Sequence, residues 1–282
     1  MIWLSALSVY ADLAGSWDGA GSRGQPDLLN ANDPTAWSGL GDRYGSQGNY
    51  PKAIECFRKA LQLDPKLAKA WYGLGLTYYQ LRRYTEAIEA YQKAVQGKPN
   101  FAAAWSNLGN VYTALERYPE AIDACHKAVE LNPNLGAAWN NLAVASYRLQ
   151  RYSEAVDACR KALQIDADDA RAWDNLGAAY NGLRQYAEAV DACRKALRID
   201  PADPEPWKDL GVAYTGLARY AEAIDCYQKA VQRNPSYGSA WYNLALTYRK
   251  AGKRAEALAL VAKVSSLDRQ LGERLKNELV DQ

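Results

Sequence analysis

The sequence predicts an all-α fold, a right-handed α-solenoid (superhelix) of stacked antiparallel helix pairs. Two observations predict it. A tryptophan recurs every 34 residues with no slip in register, at Trp37, Trp71, Trp105, Trp139, Trp173, Trp207 and Trp241. Small residues, tyrosines and prolines recur with it at fixed offsets. A fixed period of this length indicates an array of one repeated unit that must stack on its neighbours to bury a core.

The offsets form one pattern. The second unit reads Trp71, Leu74, Gly75, Tyr78, Tyr84, Ala87, Tyr91, Ala94 and Pro99, and the third reads Trp105, Leu108, Gly109, Tyr112, Tyr118, Ala121, Ala128 and Pro133. This pattern resembles the tetratricopeptide repeat family, whose units carry a tryptophan, a Leu-Gly pair, a tyrosine, two later alanines and a closing proline. The resemblance implies a concave inner surface that binds peptides or other proteins.

The register sets the expected boundaries. Residues 1–33 form an N-terminal segment and linker. Seven units follow over 34–271, at 34–67, 68–101, 102–135, 136–169, 170–203, 204–237 and 238–271, and residues 272–282 end a C-terminal capping helix. Ile2, Trp3, Leu7, Tyr10 and Leu13 are spaced for a short amphipathic helix over the first unit. A secretion signal is the alternative, disfavoured by Asp12 and by the absence of a basic start.

Within each unit, a first helix runs from the tryptophan to the first tyrosine, and a second helix starts after the next tyrosine. Pro51 and Pro119 suit the first turn of second helices, where a missing N–H costs nothing. Asp33 and Asp203 are the expected N-caps of two first helices. Asp166, Asp168 and Asp169 form an acidic cluster that a turn and a helix cap explain better than a metal.

Composition and charge disfavour several classes of protein. The net charge is +2, with no basic stripe for nucleic acid, and no apolar run is long enough to span a membrane. The five cysteines all lie in the second helices, and Cys125, Cys159 and Cys193 are one repeat apart. Equivalent positions stack about 8–10 Å apart, too far for a disulfide. We therefore expect buried thiols in a reducing, cytoplasmic compartment, with no cofactor and no metal.

Rotation by about 100° per residue assigns one face of each first helix to the inner surface. The candidate binding residues are those of this face with polar or aromatic side chains: Tyr72, Tyr79, Asn107, Asn110, Asn140, Asn141, Tyr147, Arg148, Arg171, Asp174, Asn175, Asn181, Lys208, Asp209, Tyr242 and Asn243.

One position of this face carries an amide in four units, Asn107, Asn141, Asn175 and Asn243, and Asp209 in the sixth. A side-chain amide both donates and accepts hydrogen bonds, so a row of them suits the backbone of an extended peptide. The alternative is that asparagine is simply common there and faces solvent. For the tyrosines two interpretations are likewise open: they contact the ligand, or tyrosine is simply frequent at these positions.

A subset of the family binds C-terminal carboxylates of chaperones through five residues. Asn110, Asn141 and Arg171 match three of those positions. Ser106 and Asn175 stand where the family has lysine and arginine. The loss of two cations disfavours this activity.

The sequence shows no nucleophile and base pair and no phosphate-binding loop, and we predict no catalysis. We expect a scaffold, monomeric, that binds a protein or peptide in the groove. A structural array that self-associates is the alternative, as is binding of a C-terminal carboxylate.

Overall fold

The computed structural model describes residues 31–280, and the helix expected near residues 2–13 lies outside the described residues. Within them the chain forms sixteen helices and no strand. The first helices of the repeats are α1 (Pro34–Ser46), α3 (Ala68–Gln80), α5 (Ala102–Ala114), α7 (Gly136–Arg148), α9 (Ala170–Gly182), α11 (Pro204–Gly216) and α13 (Gly238–Lys250). The second helices are α2 (Tyr50–Leu63), α4 (Tyr84–Gly97), α6 (Tyr118–Leu131), α8 (Tyr152–Ile165), α10 (Tyr186–Ile199) and α12 (Tyr220–Arg233). Three shorter helices close the chain: α14 (Arg254–Ala259), α15 (Val261–Leu267) and α16 (Arg269–Val280).

The chain divides into two compact units. Unit 1 comprises residues 1–133 and contains α1–α6, and unit 2 comprises residues 134–282 and contains α7–α16. In each unit a first helix packs against the second helix of its own repeat, against the second helix of the preceding repeat and against the first helix of the next repeat. The predicted class, an all-α solenoid of tandem helix pairs, is confirmed. No helix among the described residues combines the length and the apolar character needed to cross a bilayer.

The helix ends follow from local chemistry. Asp33 and Asp203 cap α1 and α11 as expected, each accepting a backbone N–H two residues on. Asp169 caps α9 by accepting the N–H groups of Arg171 and Ala172, while Asp166 accepts the N–H of Asp168 within the preceding turn. The turn-and-cap interpretation of this acidic cluster is therefore confirmed.

Each first helix ends in the same left-handed turn. The residue after the C-cap has a positive φ at Gly48 and Gly252, and also at the non-glycine positions Arg82, Glu116, Gln150, Arg184 and Ala218. In the second repeat, the N–H of Arg82 donates to Tyr79 and that of Arg83 to Tyr78. These two bonds satisfy carbonyls that the helix end would leave unpaired, and they reverse the chain into the second helix.

The core lies between the two helices of each repeat. A Cβ on Gly75 would lie 2.7 Å from the ring of Tyr91, and one on Gly109 would lie 2.4 Å from the Sγ of Cys125. Glycine therefore lets the helices meet closely. All five cysteines are free and buried. Cys56 and Cys226 lie one residue before the position that Cys125 occupies in its repeat.

The repeat tryptophan ties each first helix to the loop before it. The indole N–H of Trp71 donates to the carbonyl of Pro65 at 2.8 Å, and that of Trp173 to Ala167 at 2.8 Å. The same bond, to the carbonyl six residues earlier, is made by Trp37, Trp105, Trp207 and Trp241.

The C-terminal helix α16 packs against α13. Leu275 and Leu279 are 0% and 1% exposed and share a core with Val264. Arg249 and Arg254 donate to the backbone carbonyls of Glu278 and Leu279. These contacts cover the apolar surface that the last repeat would otherwise expose.

Candidate functional site

The candidate binding residues differ in how far solvent reaches them. Tyr72, Asn140, Asp209 and Tyr242 are only 5–7% exposed. The expectation that these four line an open surface is therefore wrong. Arg148 and Arg171 are exposed. The remaining ten are half-buried: Tyr79, Asn107, Asn110, Asn141, Tyr147, Asp174, Asn175, Asn181, Lys208 and Asn243.

The burial has a simple geometric cause. Tyr72, Asn140 and Tyr242 each directly follow the repeat tryptophan, and Asp209 follows its tryptophan by two residues. First helices of adjacent repeats contact each other, as α7 does with α9 and α9 with α11. In unit 1 this brings Tyr72, just after its tryptophan, against Asn107, two places after the tryptophan of the next repeat. Helix periodicity separates the faces of one helix but does not reveal where the neighbouring helix crosses it.

Unit 1 shows this contact directly. The Nδ2 of Asn107, two residues after its tryptophan, donates to the hydroxyl of Tyr72 at 3.0 Å. Asn110 donates in the same way to Tyr79 at 3.1 Å. Burial raises the pKa of the Tyr79 phenol, and the bond from Asn110 partly opposes the rise. In unit 1 these amides hold one repeat to the next.

Two amides of unit 2 are different. Asn175 on α9 and Asn243 on α13 are half-buried, and no hydrogen bond to either side chain occurs among the described residues. Each keeps a donor and an acceptor for another molecule.

Between these amides lies a charged cluster. The ammonium of Lys208 is 3.1 Å from Asp209 and 3.2 Å from Glu205, and the hydroxyl of Tyr237 donates to Glu205. Burial works to lower the pKa of Lys208, but the surrounding carboxylates, Asp209 first, outweigh it and raise this pKa well above its usual value. Lys208 is therefore a fixed cation of the cluster.

Asp174 lies near this cation, but the salt bridges of Lys208 are to Asp209 and Glu205. Its Oδ1 is buried and has no hydrogen-bond partner among the described residues. Burial, and then the negative charge of Asp209, raise the pKa of Asp174 well above its ordinary value. Burial also raises the pKa of Asp209, while Lys208 opposes that rise. The two carboxyl groups thus interact across the contact between α9 and α11.

Two further amides, Asn181 on α9 and Asn140 on α7, are bonded to neighbouring residues. Asn181 donates to the backbone carbonyl of Asp209 at 2.9 Å, and Asn140 donates to the carboxylate of Asp169 at 2.6 Å. The Oδ1 atoms of both amides are buried without a partner among the described residues. Sequence reasoning named these two amides as candidates but did not include Asp169, Glu205 or Tyr237 among the candidate binding residues. The one-residue offset between neighbouring repeats is the signal that would have found the Asp174–Asp209 contact.

The positions resembling a carboxylate-binding site are arranged less favourably. Ser106 is only 2% exposed, and Asn110 is bonded to Tyr79. Arg171 is exposed and lies 3.9 Å from Asp169, which compensates its charge.

Comparison with known families decides the identity of the fold. A family model described as the C-terminal domain of cilia and flagella-associated protein 70, a tetratricopeptide repeat model, matches residues 5–208. Two further tetratricopeptide repeat models match residues 204–237 and 226–259. The chain belongs to the tetratricopeptide repeat family. This repeat family typically forms scaffolds for protein–protein interaction and is generally non-enzymatic. A search of curated proteins gave no match.

Solved structures share the tetratricopeptide repeat fold. The Cut9–Hcn1 hetero-tetramer of the APC/C is 20% identical with a TM-score of 0.67, over 86% of this chain and 45% of that chain. The chain thus spans less than half of that structure. A tetratricopeptide repeat protein from Parabacteroides merdae is 16% identical, with a TM-score of 0.69 over 88% and 99% of the two chains. YrrB, described as a TPR protein with an unusual peptide-binding site, is 22% identical, with a TM-score of 0.55 over 66% and 96%.

Proposed function

We propose that this chain is a non-enzymatic scaffold that binds an extended segment of a partner protein along the first helices of unit 2. The observation that carries the proposal is the pair of half-buried side-chain amides, Asn175 and Asn243, to which no hydrogen bond occurs among the described residues. An amide held on a rigid helix can bond a peptide backbone with little loss of conformational freedom.

The spacing supports an extended ligand. Adjacent packed helices lie about 8–10 Å apart, so two repeats separate Asn175 from Asn243 by about 20 Å. An extended chain rises about 3.3 Å per residue, and six residues would bridge the two amides. On α7, Tyr147 is half-buried and Arg148 is exposed. Both were assigned to the same face and extend the proposed contact area.

Selection from a displayed library of random 12-residue peptides on the full chain tests the proposal. We expect enriched peptides whose affinity falls about thirtyfold in the double variant Asn175→Ala, Asn243→Ala, since each of the two lost hydrogen bonds is worth about 1 kcal/mol. Gln232→Ala, which removes an exposed amide from the second helix α12, is the matched control and should bind normally. Failure to enrich any peptide, or equal binding by the double variant, would contradict the proposal.

A further inference from the structure

Positive and negative side chains lie on opposite edges of unit 2. The turns between the two helices of a repeat form one edge, and they carry eight lysines and arginines against four glutamates, in residues 147–154, 181–188, 215–222 and 249–256. The connections between repeats, and from α15 to α16, form the other edge, with eight acids against three arginines in residues 165–171, 199–205, 233–239 and 267–273. The small net charge of the chain therefore conceals a basic edge, the first of these two.

Two cations of the basic edge are open to another molecule. Arg148 lies at the end of α7 and Lys250 at the end of α13, at equivalent positions three repeats apart. Both side chains are exposed. Neither forms a salt bridge or a hydrogen bond among the described residues, whereas Arg219 on the same edge is paired with Glu222. A ligand with negative charge would therefore meet two cations that need not leave another partner.

The two equivalent positions between these cations carry no side chain. They are Gly182 at the end of α9 and Gly216 at the end of α11. A Cβ on Gly182 would lie 2.5 Å from the ring of Tyr152, and a Cβ on Gly216 would lie 2.5 Å from the ring of Tyr186. A half-buried phenol ring from the preceding repeat thus lies directly against each glycine. From α7 to α13 the row is a cation, two rings and a cation.

The distance between the two cations suits an extended segment. Packed helices lie about 8–10 Å apart, so three repeats separate Arg148 from Lys250 by about 24–30 Å. An extended chain rises about 3.3 Å per residue and covers this distance in about eight residues. Two carboxylates about eight residues apart in one segment would therefore meet both cations, and apolar side chains between them would lie over the rings.

The cations are also within reach of a backbone that the half-buried amides hold. Seven residues of helix separate Asn243 from Lys250, a rise of about 10 Å along the helix axis. The long side chains of a glutamate on the segment and of the lysine bridge this distance when they extend toward each other. Glutamate suits the site better than aspartate for this reason.

We propose that the partner segment is acidic and carries two glutamates, about eight residues apart, that pair with Arg148 and Lys250. Uncharged side chains between the glutamates contact the rings of Tyr152 and Tyr186. The proposal rests on the proposed function and adds the charge and the spacing of the segment. Nucleic acid, which is also a polyanion, is disfavoured by the eight acids on the opposite edge of the same unit.

A purely structural role of the two cations predicts a different result. Both lie in the last turn of a first helix, where a positive charge also offsets the helix dipole. That effect changes the stability of the empty chain and leaves its choice among peptides unchanged. The preference among peptides therefore separates binding from structural support.

The test uses three synthetic pools of 12-residue peptides whose remaining positions are random uncharged residues. The first pool has glutamate at positions 2 and 10, the second has glutamine at both, and the third has glutamate at positions 2 and 4. At 0.05 M salt we expect the full chain to capture the first pool about tenfold better than the second and about threefold better than the third. At 0.5 M salt the preference should fall to within about twofold, because salt screens exposed charges.

The double variant Arg148→Gln, Lys250→Gln should reduce the preference for the first pool to within about twofold. The matched control is Lys161→Gln, Arg198→Gln, which removes two exposed cations from the second helices α8 and α10 and should leave the preference intact. An oligothymidylate of twelve nucleotides, added at the concentration of the peptides, should not displace the first pool.

The outcomes separate the two proposals. Equal capture of the three pools, with binding that still depends on Asn175 and Asn243, overturns the acidic segment and leaves the peptide scaffold standing. A preference that the double variant keeps, or that is equal for the two glutamate pools, also overturns the acidic segment. Displacement by the oligothymidylate overturns it in favour of nucleic acid. Capture of no pool contradicts both proposals.

Discussion

Asp174 shows how one side chain takes its properties from a neighbouring repeat. It directly follows Trp173, whereas Asp209 lies two residues after Trp207. In unit 1 the corresponding contact is the bond between Asn107 and Tyr72, which is neutral and satisfied. In unit 2 two acids occupy the two sides of this contact, and each raises the cost of ionising the other.

The first prediction concerns pH and Asp174. Burial, and then Asp209, raise its pKa in the folded chain well above that of an unfolded aspartate, about 3.9; Asp203 and Glu205 add smaller rises, and Lys208 opposes them. The folded state then binds the proton more tightly, so this group's contribution to stability is greatest below pH 4 and falls as the pH rises.

Asp174→Asn has no proton to lose at this site. We expect it to raise the thermal midpoint by about 2–4 °C at pH 8, with a smaller difference at pH 4. Calorimetry of both proteins at the two pH values measures this. A variant that melts below the parent chain at pH 8 would show that the carboxylate stabilises the fold.

The second prediction concerns the thiols. Cys125 is 0% exposed, and burial raises its pKa to about 12, so the reactive thiolate is scarce at neutral pH. Cys159 and Cys193 are equally buried, with raised pKa values. We expect these three to resist iodoacetamide in the native chain and to react once denaturant is added. Mass spectrometry of each cysteine peptide follows the labelling, and rapid native labelling would contradict this packing.

At this scale the sequence predicted the helix face on which a residue lies better than the residues that it contacts. Helical periodicity placed Asn175 and Asn243 on this face, and both are half-buried. It placed Tyr72, Asn140, Asp209 and Tyr242 there too, although the neighbouring helices bury them. The difference arises because exposure on this face depends on the crossing of two helices, which the periodicity of one helix does not encode.

At the scale of elements, the turn that joins the two helices of a repeat stores strain. Ala218 has a φ of 57°, a left-handed conformation that costs a residue with a Cβ about 1–2 kcal/mol. Gly252 has a φ of 78° at the equivalent place in its repeat and pays no such cost.

The third prediction is an exchange between these two turns. Ala218→Gly should stabilise the chain by about 0.5–1 kcal/mol, because relief of strain exceeds the added freedom of the unfolded chain. Gly252→Ala should destabilise it by about 1 kcal/mol. Beyond the two neighbouring residues, no atom lies within 4 Å of the added Cβ, so this cost comes from the backbone conformation. Denaturant titrations compare both with the parent chain. Effects of the same sign would show that the turn geometry is not the cause.

The fourth prediction concerns the C-terminal helix. Leu275 on α16 is 0% exposed and packs in the core that closes the last repeat. Leu275→Ala should cost about 2–5 kcal/mol, as for other large-to-small changes in a core. Leu258→Ala is the matched control, since Leu258 is 47% exposed. Hydrogen exchange should show the loss of protection in unit 2, and an unchanged exchange pattern would mean that α16 does not stabilise the repeat beneath it.

For the molecule as a whole, the period predicted the class of fold and the order of its helices. The first helices begin at Pro34, Ala68 and their equivalents, from which the register was counted. The division into two compact units at residues 133 and 134 could not be predicted in this way. The tryptophans keep the same spacing through that point. The local pattern that builds a hairpin therefore carries no signal for the division.

In six of the described repeats, the indole N–H of the tryptophan donates to the backbone carbonyl six residues earlier, in the connecting loop. The emission of an indole shifts to longer wavelength when this shelter is lost to water. Each of these tryptophans can be replaced singly by phenylalanine, and the spectrum of the variant can be subtracted from that of the parent chain. The six difference spectra would therefore give six local fluorescent probes. Their separate melting curves would reveal the sequence in which the hairpins come apart.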